Sequence, residues 1–378
     1  MKIVIASDSY KGSLSSLEVG RACREGILRA LPHADIAVKP MADGGEGTVT
    51  ALADVMEGTW VKTTVHNPSG RLVDASYVVS ADRKTAVIEM AEASGIQHSR
   101  CRPEDVLHAS TFGTGEVILD ALDRGVRSFI IGIGGSATND AGTGMLKALG
   151  AEFLNAEGGT LAEGGAALQQ LAAINVDHLD PRLAGCTFRI ACDVDNPLTG
   201  SHGASAVYGP QKGAGEHETD LLDRALKQFA DITAEAFNVD IDTPPGAGAA
   251  GGLGAAFLGF LPAALEKGAE IVADVTGLAE DLKDADLVIT GEGGINHQTV
   301  HGKTPVYVAS LAKRMNENVP VLALCGSIEP GYETVFDAGI DAVFSIADGP
   351  ARLEELQEHA ARNVTRTAEN IARLWNCR

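Results

Sequence analysis

The chain opens and closes in one pattern and follows another in between, and this division constrains its fold more than any single motif. At the start, a buried-type apolar run at residues 3–6 leads through a polar turn into a helical spacing of Leu17, Cys23, Ile27, Leu28 and Leu31, with Ser15 or Ser16 placed to cap it. Residues 36–38 form a second strand candidate, and residues 42–48 open a further helix. The C-terminal part repeats this order: strands are expected at 286–290, 320–324 and 342–346, with helices at 305–315 and 352–374. Short apolar strands alternating with helices imply βαβ units on a parallel sheet, which binds ligands outside the carboxyl ends of its strands.

The middle reads as a hairpin, residues 60–65 and 76–79 around the turn Pro68-Ser69-Gly70, and then as strands and helices broken by Gly-rich loops near 132–144, 156–165, 193–215 and 244–254. The expected architecture is therefore α/β in two domains. Both termini, residues 1–61 and 283–378, build a Rossmann- or flavodoxin-like parallel-sheet domain. A larger α/β domain of mixed sheet, residues 62–282, is inserted into it, with the active site in the cleft.

Charge narrows the partners. A formal net charge of −21 over 378 residues disfavours nucleic acid and anionic membranes, so phosphate ligands would need positive charge concentrated locally. The six cysteines show no C-x-x-C or other metal-ligand spacing, which fits reduced thiols in a cytoplasmic protein. The N-terminal apolar run is too short for a signal segment, and no run approaches a spanning helix. The expected state is a cytoplasmic monomer or homodimer.

Four loops place Gly beside polar residues after a strand. In Ser7-Asp8-Ser9-Tyr10-Lys11-Gly12, Asp8 can hold a substrate hydroxyl or a metal, and Lys11 a carboxylate or phosphate. The second, running from Gly132 through Gly134, Gly135 and Ser136 to Asn139 and Asp140, is not a dinucleotide fingerprint, because its third Gly is misplaced. Its backbone amides can still cradle phosphate. In the third, Asp193 follows a strand at 187–191 as a candidate base or Mg²⁺ ligand, and Lys212 is a candidate for neutralising transferred phosphate. The fourth carries Glu292, then Gly302-Lys303-Thr304-Pro305, where His297 takes the place of a P-loop's first Gly. That helix start can attract an anion. A fifth segment, 245–254, is nearly bare of side chains and suits either close packing or a ligand laid against backbone.

Taken in order, these stretches resemble the type-1 glycerate kinase family along essentially the whole chain. They are joined by Ala42 to Thr48, Ile88 to Ala91, Gly113 to Glu116 and Leu287 to Glu292. The resemblance implies ATP- and Mg²⁺-dependent phosphorylation of D-glycerate, usually to the 2-phospho isomer. The site expected on this basis has Asp193, Lys11, Asp8 and Lys212 in catalysis, with Asp193 also on Mg²⁺. Ser9, Asp43, Glu46, Asn139, Asp140 and Glu292 would touch substrate. Gly134, Gly135, Ser136, Gly248, Gly251 and Gly252 would hold nucleotide phosphates. One departure bears on substrate: where the family usually reads Gly-Glu-Gly-Arg-Ile-Asp, this chain has Gly294 and Asn296 in place of Arg and Asp. Alternatives are a kinase for a different small hydroxy or sugar acid, and a degenerate homologue that senses glycerate.

Overall fold

The computed structural model describes residues 1–45, 47–300 and 302–377. Two compact units emerge, Met1–Met56 with Lys267–Arg378, and Glu57–Glu266. In chain order the first unit contributes β1 (Lys2–Ser7) and β2 (Asp35–Val38). The second holds β3 (Thr59–His66), β4 (Leu72–Val79), β5 (Thr85–Glu89) and β6 (Ser128–Gly132). It continues with β7 (Glu152–Leu154), β8 (Ala173–Asn175), β9 (Thr187–Ala191) and β10 (Ala263–Glu266). The chain then returns to the first unit for β11 (Leu287–Ile295), β12 (Val321–Ile328) and β13 (Ala342–Ser345).

In the first unit the five strands run parallel in the order β13-β12-β11-β1-β2. From β1 the chain steps outward to β2, whereas from β11 it steps the other way to β12 and β13. The strand order thus reverses between β1 and β11, which pair in register from Ile3↔Leu287 to Ser7↔Gly291. On one face Ile3, Ile5 and Ile289 pack with Val19, Cys23 and Ile27 of the helix Ser16–Ala30 and with Val364 and Ala368 of the helix Ala360–Trp375. Ser15 starts the first of these helices with a capping box: its Oγ accepts from Glu18 N, and the Glu18 carboxylate accepts from Ser15 N.

Two expectations change here. The single helix at 352–374 is two, Leu353–Glu358 and Ala360–Trp375, because His359 (φ −99°, ψ 8°) leaves helical geometry between them. The Gly-rich loop expected after residue 290 is instead strand: Glu292 pairs with Cys325, Gly294 with Ser327 and Ile295 with Ile328. Glycine allows that extension, since a Cβ on Gly291 would lie 2.0 Å from Leu324 O.

The second unit has a six-stranded mixed sheet in the order β10-β9-β6-β5-β4-β3. The predicted hairpin is β3–β4, antiparallel with Trp60 opposite Val78. Strands β5, β6, β9 and β10 are parallel to one another, and β7–β8 is a separate antiparallel pair. Register neighbours Phe129 and Phe188 stack at 4.7 Å in the core, against Phe257 of the helix Ala249–Phe260.

The unit boundaries fall at 56/57 and 266/267 rather than at 61/62 and 282/283. Thr59 to Val61 are committed to the β4 ladder, so the insert starts earlier. It also ends earlier, because the helices Gly268–Thr276 and Leu278–Leu282 belong with the terminal segments. Lys39 donates to Thr276 O and pairs with Asp281, and a Cβ on Gly268 would lie 2.2 Å from Gly44 Cα. Among the described residues no helix is long and apolar enough to cross a membrane.

Candidate active site

Where strand order reverses in an open parallel sheet, the two loops that leave adjacent strand ends diverge and open a ligand crevice. In the first unit Asp8 opens the loop that leaves β1, and Glu292 lies beside it within β11, each one residue beyond the Ser7↔Gly291 pair. The Asp8 main-chain N–H donates to Gly291 O at 2.9 Å, fixing the loop to its neighbour. Its Oδ1 accepts from Ser9 N at 2.6 Å, and its Oδ2 accepts from Thr304 Oγ1 at 2.8 Å. Burial, reinforced by the nearby Asp43 carboxylate, pushes the Asp8 pKa up to about 6 against the pull of those hydrogen bonds.

Glu292 shares this environment. Its Oε1 accepts from Thr299 Oγ1 at 2.7 Å and its Oε2 faces Lys303 Nζ at 3.2 Å, while burial and Asp43 hold its pKa above the ordinary value. Asp43 fixes its own loop by accepting from Gly45 N at 3.0 Å. Lys303 and Thr304 begin the helix Thr304–Met315, with Pro305 in its first turn. A helix N-terminus, one ammonium and three carboxylates thus converge on one strand edge. Lys11, exposed, forms no ion pair among the described residues.

In the second unit the carboxyl ends of the adjacent parallel strands β6 and β9 carry the other loops. Gly134 and Gly135 are exposed; a Cβ on Gly134 would meet nothing within 4 Å, and Gly135 adopts φ +72°. Asp193 is exposed two residues beyond β9. Directly behind the glycines the chain dives inward. Lys212 is fully buried and donates to Ser136 Oγ and Thr138 O, each at 2.7 Å. Burial, partly offset by Asp140, lowers its pKa to about 7. Asn139 donates to Ser205 Oγ at 2.9 Å, and Asp140 accepts from Thr111 N and Oγ1 and from Gly142 and Gly144 N.

A family model described as the glycerate kinase family matches residues 3–376. The chain belongs to this family. A curated glycerate kinase from Halalkalibacterium halodurans is 47% identical over 376 residues, covering 99% of this chain and 98% of the relative. A glycerate 2-kinase from Escherichia coli is 47% identical over 372 residues, covering 98% and 97%. A crystal structure of a glycerate kinase 2 candidate from Salmonella typhimurium LT2 superposes with a TM-score of 0.91 at 48% identity, covering 100% of this chain and 98% of that one.

Within this kinase the structure sorts the residues expected from sequence. Asp8, Ser9, Asp43 and Glu292 come together in the first unit, and sequence reasoning left Thr299 out of that group although it binds Glu292 directly. Lys303 and Thr304 had only been marked as a helix start; their link to two carboxylates is tertiary and leaves no sequence signal. Glu46 lies outside the described residues. Lys212, expected at the transferred phosphate, is buried, with its ammonium donating to Ser136 Oγ and Thr138 O. Asn139 and Asp140, expected at substrate, are also completely buried.

Gly248, Gly251 and Gly252 resolve toward packing. A Cβ on each would lie 2.1 Å from Pro197 O, 2.0 Å from Thr138 O and 2.7 Å from Ala141 Cα, so protein backbone fills the space offered to phosphate. Gly251 also has φ +70°. Gly251→Ala is expected to destabilise the second unit by about 3 kcal/mol, from backbone overlap and left-handed strain together. A shift of the urea midpoint reads this out.

Asn296 builds a turn. Its Oδ1 accepts from Gln298 N and its Nδ2 donates to Glu329 Oε2, each at 2.9 Å. An Asp there would face the Glu329 carboxylate with no donor to offer. A Cβ on Gly294 would lie 2.8 Å from Ser327 Oγ, so any side chain here requires that hydroxyl to turn.

Proposed function

We propose that the chain transfers the γ-phosphoryl group of ATP to the 2-hydroxyl of D-glycerate. The observation that carries this reading is Asp8: a desolvated carboxylate at the switch point of a parallel sheet, held by Thr304 and Ser9, with a pKa near 6. A carboxylate so placed is ionised at neutral pH yet basic enough to take a hydroxyl proton. The family membership and the relative named glycerate 2-kinase support the acid and the position.

In the proposed reaction the hydroxyl gives its proton to Asp8 as its oxygen bonds to the γ-phosphorus. The bond from phosphorus to the bridging oxygen breaks, and ADP leaves. Lys11, exposed three residues beyond Asp8, neutralises charge on the transferred group. Gly134 and Gly135 offer bare exposed backbone to phosphate oxygens. Among the described residues no group of three or more acidic, His or Cys side chains is arranged to hold a metal. Mg²⁺ would be carried mainly by the nucleotide phosphates, with the Asp193 carboxylate as the residue that would hold it. When bound, the ion supplies charge neutralisation on those phosphates.

The test is an ADP-coupled assay with D-glycerate, ATP and Mg²⁺, the product identified by phosphorus NMR. Robust turnover to 2-phosphoglycerate is the expected result. Exclusive 3-phosphoglycerate would overturn the position. Turnover of another hydroxy acid but not glycerate would overturn the substrate, and would direct attention to Gly294 and Asn296.

A further inference from the structure

A cavity of about 610 Å³ in the second unit takes no part in the site described above. Its size suits a small molecule, whose sites span roughly 300–1,000 Å³. His66 and the turn 67–71 line one side, and residues of the segment 98–112 line the other. Because β3 runs antiparallel to β4, and β4 to β5, that turn lies at the sheet edge where β5, β6 and β9 present their carboxyl ends. Ligands of parallel strands bind at that edge. The segment that carries His98 also borders the exposed glycines, since Ile96 N donates to Gly135 O at 2.8 Å.

The lining is anchored from behind. Asn67 Oδ1 accepts from Ser69 N, Ser69 Oγ and Arg71 N within 3.0 Å, which fixes the turn. Ser110 N donates to Pro68 O at 3.1 Å and ties the two sides together. Glu116 accepts from His66 N at 2.7 Å and holds His66 Nδ1 at 2.9 Å, leaving Nε2 as that ring's open position. In a chain of net charge −21, the cavity gathers cationic side chains. Each acid that lines it already has a cation: Asp105 meets Arg100 at 3.0 Å, Glu163 meets Lys147 at 2.8 Å and Glu104 meets Arg102 at 3.8 Å. Among the described residues the Arg71 guanidinium forms no ion pair. Three of the ten histidines, His66, His98 and His108, line this one cavity.

We propose that this cavity binds a phosphate ester of the reaction, nucleotide or phosphoglycerate, with the phosphate on Arg71 and on the His66 and His108 imidazoles. The inference rests on the kinase reading for which esters are present. A guanidinium meets phosphate oxygens in pairs through its planar fork. A terminal phosphate, with its second pKa about 6, presents either a P–O⁻ acceptor or a P–OH donor near neutral pH. It therefore satisfies an imidazole nitrogen in either form, whereas an ionised carboxylate only accepts. Phe112, edge-on to His66 at 5.7 Å, gives the organic part of the ester an apolar wall.

The experiment titrates the full chain with ADP, with 2-phosphoglycerate and with D-glycerate by calorimetry, and measures glycerate turnover on the same preparations. Arg71→Ala removes an exposed guanidinium. It is expected to weaken at least one of the two esters tenfold or more, to leave glycerate affinity unchanged and to melt as the wild type does. Ser69→Trp, at an exposed lining position, fills the cavity by bulk and is expected to weaken the same ester tenfold or more. A loss confined to ADP assigns the cavity to the nucleotide, and a loss confined to 2-phosphoglycerate assigns it to the product. Unchanged affinity for both esters in both variants, with glycerate turned over normally, would overturn the cavity site and leave the kinase reading intact. A tenfold loss of ADP affinity in both variants of a protein that phosphorylates no glycerate would retain the cavity and overturn the acid substrate.

Discussion

Asp8→Asn is expected to lower kcat by about a thousandfold while making the folded protein more stable at pH 8. The first effect follows from removing a positioned base, a step worth roughly 10²–10⁴ in rate. The second follows from linkage. The folded-state pKa, about 6, lies above the ordinary Asp value of 3.8. Between those two values the folded chain holds a proton that the unfolded chain has lost; above pH 6 both forms are ionised and the folded form carries the full desolvation cost. That cost is about 3 kcal/mol for a shift of this size. It grows as pH rises from 4 to 6 and is absent in the Asn variant. The same titration shapes turnover: kcat/KM of the wild type is expected to rise with pH, with a midpoint near 6, and level off above 7. A variant that kept wild-type kcat, or a profile flat from pH 5 to 8, would remove Asp8 from the chemistry.

This opposition between stability and activity also shows what could be read before the structure was known. The parallel-sheet grammar of both termini was legible because buried strands are short apolar runs and their helices keep a regular period, as residues 3–6 and the Ser15-capped helix illustrate. Asp8 was legible because a polar turn after such a run marks a strand's carboxyl end. Lys212 was not. A Gly-Pro-Gln-Lys-Gly stretch looks like an exposed loop, and only the tertiary fold shows its ammonium sealed against Thr138 O. The bare segment 245–254 left packing and ligand approach open, and the contact with Pro197, Thr138 and Ala141 decides for packing. Glu292 was assigned to a loop because its glycine neighbours disfavour strands. Its pairing with Cys325 depends on β12, a partner that local sequence cannot announce.

Asp140→Ala is expected to cost the second unit about 5 kcal/mol, a loss that distinguishes a buried knot from a substrate contact. The Asp140 carboxylate accepts from Thr111 N and Thr111 Oγ1 at 2.8 Å each, from Gly142 N at 3.1 Å and from Gly144 N at 3.2 Å. Thr111 precedes the helix Phe112–Asp123, and Gly142 precedes the helix Thr143–Ala148. One carboxylate therefore serves the first N–H groups of two helices, whose dipoles both favour an anion there. Burial still holds its pKa above the ordinary range, against the pull of Thr111 and Gly144. Truncation to Ala leaves three buried backbone donors without an acceptor, at roughly 1–3 kcal/mol each. It also frees Thr111 Oγ1, which accepts from Met145 N at 2.9 Å. A loss of this size is comparable to the whole stability of a typical domain, about 5–15 kcal/mol. Asp140→Asn keeps one acceptor and turns an amide toward the remaining donors, so about half the loss is expected. Urea unfolding followed by a probe in the second unit measures both. A wild-type midpoint in the Ala variant, accompanied by lost turnover, would return Asp140 to the substrate.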